Sequence, residues 1–208
     1  MKYQPAIHHR RSLRLKGYKY TQEGAYFVTI CTQDRACVFG GIVNGEMVLN
    51  DAGRMVQTVW DEIPKYYADI ETDECVIMPN HIHGIIVIVG AGPRACPDTG
   101  QPRDDGQPQG VAPTLSLPDV VHRFKTMTTK RYTDGVKQSG WPQYPTKLWQ
   151  RNYYEHIIRN EDELNRIREY ITNNPMKWEF DRENPNLKYE NGQPRGVAPT
   201  KPGEPWRI

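Results

Sequence analysis

The chain has 208 residues, 37% of them hydrophobic, and a formal net charge of +2. That length and apolar content favour one domain with appendages, and no apolar stretch is long enough to span a membrane. The N-terminal residues lack the apolar segment of a secretory signal, so we expect a cytoplasmic protein. Four cysteines without metal-type spacing agree with reduced thiols.

The N-terminal segment is a basic arm, predicted over residues 1–17. No acid occurs between His8 and Tyr20, and tyrosines are interleaved with the cations. Such a run can follow a phosphate backbone and stack on bases, although a solvated arm without a partner gives the same pattern. The cations that we expect to contact DNA are Arg10, Arg11, Arg14 and Lys16.

The first half of the chain predicts a strand, a hairpin and a helix. A strand is expected over residues 25–32 (AYFVTICT), and Asn44-Gly45 between apolar runs predicts a two-residue hairpin turn. Asn50 or Asp51 can cap a helix that Pro64 ends.

Two further strands are predicted over residues 74–78 and 84–89, with the sequence MPNHIH between them. From about residue 90 to 114 the composition changes to Gly, Pro, Asp and Gln, which indicates a flexible insertion. Its segment GQPQGVAPT nearly recurs as GQPRGVAPT in the tail, and we attribute this to duplication of a short DNA repeat.

The second half predicts two helices. Ser116 can cap the first, and Asn160 can cap the second, which Pro175 ends. We therefore predict a domain over residues 18–181 and a Pro-rich, disordered tail over residues 182–208. The order of elements predicts an α+β fold in which an antiparallel sheet carries helices on one face.

The strongest local signal for a functional site is His81-Ile82-His83. Residues two apart on a strand point to the same side, so both imidazoles can reach one metal ion while Ile82 packs in the core. Pro79 and Asn80 suggest that the pair follows a turn near a sheet edge. Two surface histidines on an edge strand are the alternative.

The last predicted helix offers a further ligand and a nucleophile. Tyr170 and Asn174 are four residues apart, on one helix face. An amide oxygen suits Mg²⁺ or Mn²⁺ better than zinc. A half-buried tyrosine and a helix-capping asparagine are the structural alternatives.

The segment WQRNYYEH combines aromatic and cationic residues before that helix. It can stack on bases or anchor a loop, and on composition alone Tyr153 and Tyr154 are rival nucleophiles.

With MPNHIHGI, WQRNYYEHIIRN and EYITNNP in this order, the sequence resembles the REP-associated tyrosine transposases. The resemblance covers about residues 18 to 181 and implies a ferredoxin-like sheet of the HUH (His-hydrophobic-His) endonuclease type. It implies Mg²⁺ or Mn²⁺ held by His81, His83 and Asn174, and Tyr170 as the nucleophile that forms a 5′-phosphotyrosine. It makes Tyr153 and Tyr154 the weaker candidates.

The implied substrate is single-stranded DNA with REP-like hairpins, in the nucleoid, with no nucleotide cofactor. Relatives act as monomers or as homodimers, and we expect a monomer. A DNA-hairpin-binding protein without catalysis, a histidine-motif hydrolase (which would want a third histidine where Ile85 stands) and a structural domain are the rivals. Other candidate DNA contacts are Lys125, Lys130, Arg131, Trp149, Gln150 and Arg151.

Overall fold

The computed structural model describes residues 21–89, 115–144, 146–187, 189–190 and 193–194. The predicted basic arm with Arg10, Arg11, Arg14 and Lys16, the insertion at 90–114 and most of the tail lie outside these residues. The described elements are β1 (Gly24–Cys31), β2 (Gly40–Val43), β3 (Glu46–Leu49), α1 (Asp51–Tyr66), β4 (Ile70–Ile77), β5 (His81–Ile88), α2 (Leu117–Ser139), β6 (Tyr154–Ile158), α3 (Glu161–Thr172), β7 (Tyr189–Glu190) and β8 (Gln193–Pro194), with short 3-10 helices at Gln33–Arg35 and Pro175–Phe180.

Four strands form the central sheet in the order β4-β5-β1-β6, and every neighbouring pair is antiparallel. The predicted antiparallel sheet is therefore confirmed. The turn before His81 is confirmed too, but β5 is an interior strand with β1 on one side and β4 on the other, so the expected sheet edge is wrong. The reason is that β1, from the start of the domain, pairs with the side of β5 that β4 leaves open. Strand β6, which the sequence analysis did not predict, pairs with the far side of β1 and forms that edge of the sheet.

Helices α1 and α2 cover one side of the sheet, which we call the α1/α2 face. Alternate side chains of β1 and β5, among them Val28 and Ile86, pack there against Trp60 and Phe124. Gly84 lies beneath the Trp60 ring, where an added Cβ would come within 2.4 Å of it. The large indole thus requires glycine at this point of β5.

Helix α3 packs against the other side, the α3 face. Phe27 of β1 and Ile85 of β5 meet Ile167 and Ile171 of the helix there. The prediction of helices on one face therefore holds for α1 and α2 only. The cause is the chain reversal after β6, which carries α3 to the side opposite α1.

The local signals in the sequence are confirmed at the element ends. Asn44 and Gly45 both have positive φ, 52° and 80°, as the predicted hairpin turn requires. The side chains of Asn50, Ser116 and Asn160 each cap the helix that follows. Helix α1 runs two residues beyond Pro64 to Tyr66, so Pro64 lies in the last turn rather than ending the helix.

Two further segments differ from expectation. Strand β4 begins at Ile70 and has an irregular register between Thr72 and Cys75, in a stretch too polar to indicate a strand. The residues after Asp181 continue in contact with the domain, since Asn184 and Leu187 are buried. None of the described helices has the length and apolar character needed to cross a membrane.

Candidate metal centre

The two predicted histidines begin strand β5 and point toward the α3 face. Both imidazoles are buried, with exposed fractions of 0% and 4%, and their Nε2 atoms lie 3.0 Å apart. Ile82 between them packs on the α1/α2 face. The strand alternation that the sequence predicted therefore brings His81 and His83 together.

A carboxylate that the sequence analysis did not select joins this pair. Asp181 follows the 3-10 helix at Pro175–Phe180, and its Oδ2 lies 3.6 Å from Nε2 of His81. The potential ligand atoms of the three residues all lie within 4.8 Å of one another. Two imidazoles and a carboxylate are a donor set that suits a divalent ion. No local sequence signal marks Asp181, because it reaches the site only through the chain reversal after α3.

Asn174 lies just beyond the end of α3 with helical dihedrals, φ −61° and ψ −42°. Its side chain is 3% exposed, and its Oδ1 has no hydrogen-bond partner among the described residues. A buried polar atom without a partner is costly, about 1–3 kcal/mol, so such an oxygen is a candidate ligand.

The hydroxyl of Tyr170 lies 3.4 Å from Nε2 of His83. Its ring packs edge-on against Phe27 and His83, with centroid distances of 6.0 and 5.3 Å. The rival tyrosines lie on opposite sides of the sheet. Tyr153 packs against the apolar core of the α1/α2 face. Tyr154 packs against the apolar cluster of the α3 face, where its ring centroid lies 6.3 Å from that of Phe27. Tyr170 therefore contacts the histidine pair through both its hydroxyl and its ring.

Burial sets the electrostatics of the centre. It lowers the pKa of His81 to about 3 and that of His83 well below its usual value. Burial also raises the pKa of Asp181, and the neighbouring His83 opposes that change. Both imidazoles are therefore neutral at physiological pH, which is the form that binds metal ions.

Several predicted DNA contacts are engaged inside the protein instead. Trp149 is buried in the core and donates from Nε1 to Thr128 Oγ1 at 2.8 Å, so its indole is not available for base stacking. Gln150 donates from Nε2 to the carbonyl oxygen of Thr32. The aromatic and amide groups of this segment therefore anchor a loop, which was the alternative considered from sequence.

The predicted cationic DNA contacts on α2 and at Arg151 are of two kinds: some are engaged within the protein, and others are exposed. Lys125 donates from Nζ to the carbonyl oxygens of residues 150, 151 and 152, and burial lowers its pKa to about 8. Arg131 is paired with Glu62 of α1 at 2.6 Å. Lys130 and Arg151 are exposed and remain candidates for contacts with a DNA backbone.

Two proteins of Haemophilus influenzae are similar to this chain in sequence. No protein-family model matches it. It is 44% identical over 185 residues to an uncharacterized protein of Haemophilus influenzae, covering 87% of this chain and 96% of that protein. A second H. influenzae protein, "Putative REP-associated tyrosine transposase", is 26% identical over 163 residues, 76% of this chain and 73% of that protein. The chain belongs to one family with the first protein and is a distant homologue of the REP-associated tyrosine transposases.

A solved REP-associated tyrosine transposase, bound to a REP hairpin, is also similar, with a TM-score of 0.48 at 17% identity over 79% of this chain and 74% of that one. The relationship predicted from the three sequence motifs is confirmed by the sequence similarity to the second H. influenzae protein. The predicted α+β fold is confirmed as well: this chain has an antiparallel sheet with a buried His-hydrophobic-His pair on an interior strand.

Proposed function

We propose that this chain is a metal-dependent endonuclease and transposase, which cuts and rejoins hairpin-flanked single-stranded DNA through a 5′-phosphotyrosine at Tyr170. The observation that carries the proposal is the 3.4 Å distance between the Tyr170 hydroxyl and His83 Nε2, at the edge of the His81–His83–Asp181 group. A nucleophile beside a candidate divalent-metal centre is the arrangement that phosphodiester transfer needs.

The residues present fit a divalent metal ion. His81 and His83 would hold it through Nε2 and Asp181 through a carboxylate oxygen, with the buried amide oxygen of Asn174 as a further ligand. Two oxygen donors beside two imidazoles favour Mg²⁺ or Mn²⁺. When bound, the ion would supply Lewis-acid polarisation of the scissile phosphate.

The protein's own part in the reaction is to orient and supply the nucleophile. Packing against Phe27 and His83 restricts the Tyr170 ring, and the buried end of α3 sets the position of its hydroxyl. The phenolic oxygen attacks phosphorus and loses its proton to solvent, while the bond from phosphorus to the 3′ oxygen breaks and that oxygen takes up a proton. Because the tyrosine ester retains the phosphodiester's energy, rejoining needs no ATP.

The substrate that we propose is single-stranded DNA carrying a REP-like hairpin. A distant homologue is named as a REP-associated tyrosine transposase, and a similar solved transposase is bound to a REP hairpin. In this chain, Lys130 and Arg151 would contact the DNA backbone, together with the basic residues of the N-terminal arm.

A covalent-adduct assay tests the proposal. Purified protein is mixed with single-stranded hairpin oligonucleotides from repeats that flank the gene, labelled at either end, with Mg²⁺ or Mn²⁺, and run on a denaturing protein gel. We expect a metal-dependent band that carries the label from the 3′ side of the cut. It should disappear with Tyr170→Phe and with EDTA.

Tyr153→Phe and Tyr154→Phe are matched controls, since each removes one hydroxyl from the neighbouring strand region. An adduct that survives Tyr170→Phe and disappears in one of these variants would reassign the nucleophile. Binding of hairpin DNA without any adduct, under all metal conditions, would contradict the nuclease and leave a catalytically silent DNA-hairpin-binding protein.

A further inference from the structure

We propose that Asn80 is a positioning residue, which fixes the proton of His81 on Nδ1 and secures the segment that carries Asp181. The inference deepens the proposed function, because it concerns how the metal centre is prepared. Asn80 is completely buried, and both ends of its amide are hydrogen-bonded.

The orientation of the Asn80 amide follows from its partners. Its Nδ2 lies 3.1 Å from the carbonyl oxygen of Arg35 and 2.6 Å from that of Glu183. Carbonyl oxygens only accept hydrogen bonds, so the NH₂ group must face them. The amide oxygen is thereby turned toward Nδ1 of His81, at 2.9 Å.

That orientation selects one tautomer of His81. An amide oxygen accepts only, so Nδ1 of His81 must carry the hydrogen and donate it. The neutral ring then has its lone pair on Nε2, the atom that faces His83 Nε2 at 3.0 Å and Asp181 Oδ2 at 3.6 Å. Asn80 therefore prepares His81 for metal binding, as hydrogen-bonded neighbours of ligands do.

His83 lacks an equivalent constraint. Its Nδ1 lies 2.8 Å from the hydroxyl oxygen of Thr29, and a hydroxyl can donate or accept. Either tautomer of His83 is therefore satisfied. Without a metal ion, His83 can donate from Nε2 to His81; with its proton on Nδ1, it can present Nε2 as a ligand.

The second role of Asn80 concerns the Asp181 segment. The bond from Asn80 Nδ2 to the Glu183 carbonyl is reinforced by the ion pair between Arg35 Nε and Glu183 Oε2, at 3.1 Å. The backbone N–H of Glu183 in turn donates to Oδ1 of Asp181 at 2.7 Å. Holding Glu183 therefore orients the Asp181 carboxylate and leaves its Oδ2 toward His81.

The segment Gln33–Arg35, whose Arg35 carbonyl oxygen accepts a hydrogen bond from Asn80, has an unusual backbone conformation. Asp34 and Arg35 both have left-handed backbone, with φ of 56° and 55°. Such residues are held there only when their surroundings compensate the cost. The bond from Asn80 Nδ2 to the Arg35 carbonyl contributes to that compensation and fixes Arg35 where it pairs with Glu183.

The test combines nitrogen NMR of the histidine side chains with Mn²⁺ binding followed by EPR. In the metal-free wild type we expect His81 to be protonated at Nδ1 alone. In Asn80→Ala we expect both tautomers of His81 and a 10- to 100-fold weaker Mn²⁺ affinity, on the order seen for ligand-orienting neighbours. Asn184→Ala is the matched control: this buried asparagine lies in the same segment and donates to the Trp178 carbonyl. It should leave the His81 tautomer unchanged.

The outcomes separate this inference from the proposed function. A wild-type His81 protonated at Nε2 would overturn the inference even if every variant failed to fold, and so would an Asn80→Ala protein with unchanged tautomer and affinity. If wild type bound no Mn²⁺ while its His81 was protonated at Nδ1 alone and His81 of Asn80→Ala showed both tautomers, the positioning role would stand and the proposed metal centre would be wrong.

Discussion

The two faces of the central sheet are built from the same strands and differ in chemistry. The α1/α2 face is covered by a continuous apolar core with bulky side chains such as Trp60 and Phe124. The α3 face has a smaller apolar cluster around Phe27 and Ile85, and His81 and His83 precede Ile85 on the same side of β5. Because successive residues on a strand alternate, one strand can stabilise the fold and hold reactive groups at once.

The two faces also differ in how the burial of their side chains contributes to the free energy of folding. Each apolar side chain on the α1/α2 face gains free energy on burial, whereas each polar group on the α3 face must find a partner to avoid a cost. Thr29, Asn80 and Tyr170 provide such partners for the two histidines. We therefore expect substitutions on the first face to change stability and those on the second to change metal binding and chemistry.

The largest effect is expected from Trp60→Ala on the α1/α2 face. Trp60 is almost fully buried and packs edge-on against Phe124, with ring centroids 5.6 Å apart. Losing it should lower the free energy of unfolding by about 3–5 kcal/mol, measured by urea denaturation. The adduct formed per folded molecule should stay near the wild-type value. A loss of adduct in fully folded Trp60→Ala protein would show that the faces are coupled.

The next effect is expected from His83→Ala on the α3 face. Removing a direct ligand should weaken Mn²⁺ binding by at least about 100-fold, the upper end for residues that only orient ligands, equivalent to about 2.7 kcal/mol. Isothermal titration calorimetry measures this change, and His122→Ala, on the exposed part of α2, is the control. Unchanged Mn²⁺ affinity in His83→Ala would remove the proposed metal centre, whatever happens to stability.

The smallest effect concerns how α3 is attached to the sheet. Arg168 of α3 donates to both carboxylate oxygens of Asp73 on β4, at 2.9 and 2.6 Å, and the bond from Arg168 lowers the pKa of Asp73. Both groups are partly exposed, so Asp73→Asn should cost less than about 1 kcal/mol at neutral pH.

The pH dependence of that pair has a definite sign. The folded-state pKa of Asp73 lies below its unfolded value of 3.8. The stabilisation is therefore complete above that pH and is lost as pH falls below it. Urea denaturation over this acid range should show a shallower decline for Asp73→Asn than for wild type, and the exposed Asp61→Asn should follow wild type. Parallel curves for wild type and Asp73→Asn would contradict a stabilising pair.

Much of the fold and half of the candidate centre could be predicted from sequence. The caps at Asn50, Ser116 and Asn160 and the turn at Asn44-Gly45 are local, so the residues within a few positions determine them. Strand alternation likewise placed His81 and His83 on one side. Trp149 is a residue whose role could not be predicted in this way. The sequence allowed it to stack on bases, and only the tertiary structure shows that it packs in the core against Phe39 and Phe124.

The sequence by itself determined the three helices, the hairpin and most of the strands, together with the histidine pair and the relationship to the REP-associated tyrosine transposases. The tertiary structure alone decided that α3 lies opposite α1 and α2, that β6 completes the sheet, and that Asp181 joins the histidines. These features depend on contacts between distant segments, such as the bond from Asn80 to Glu183 across 103 residues. The alternation of residues along a strand determines on which side of the sheet each side chain lies. Chain reversals and buried hydrogen bonds between distant residues determine which other segment packs against that side.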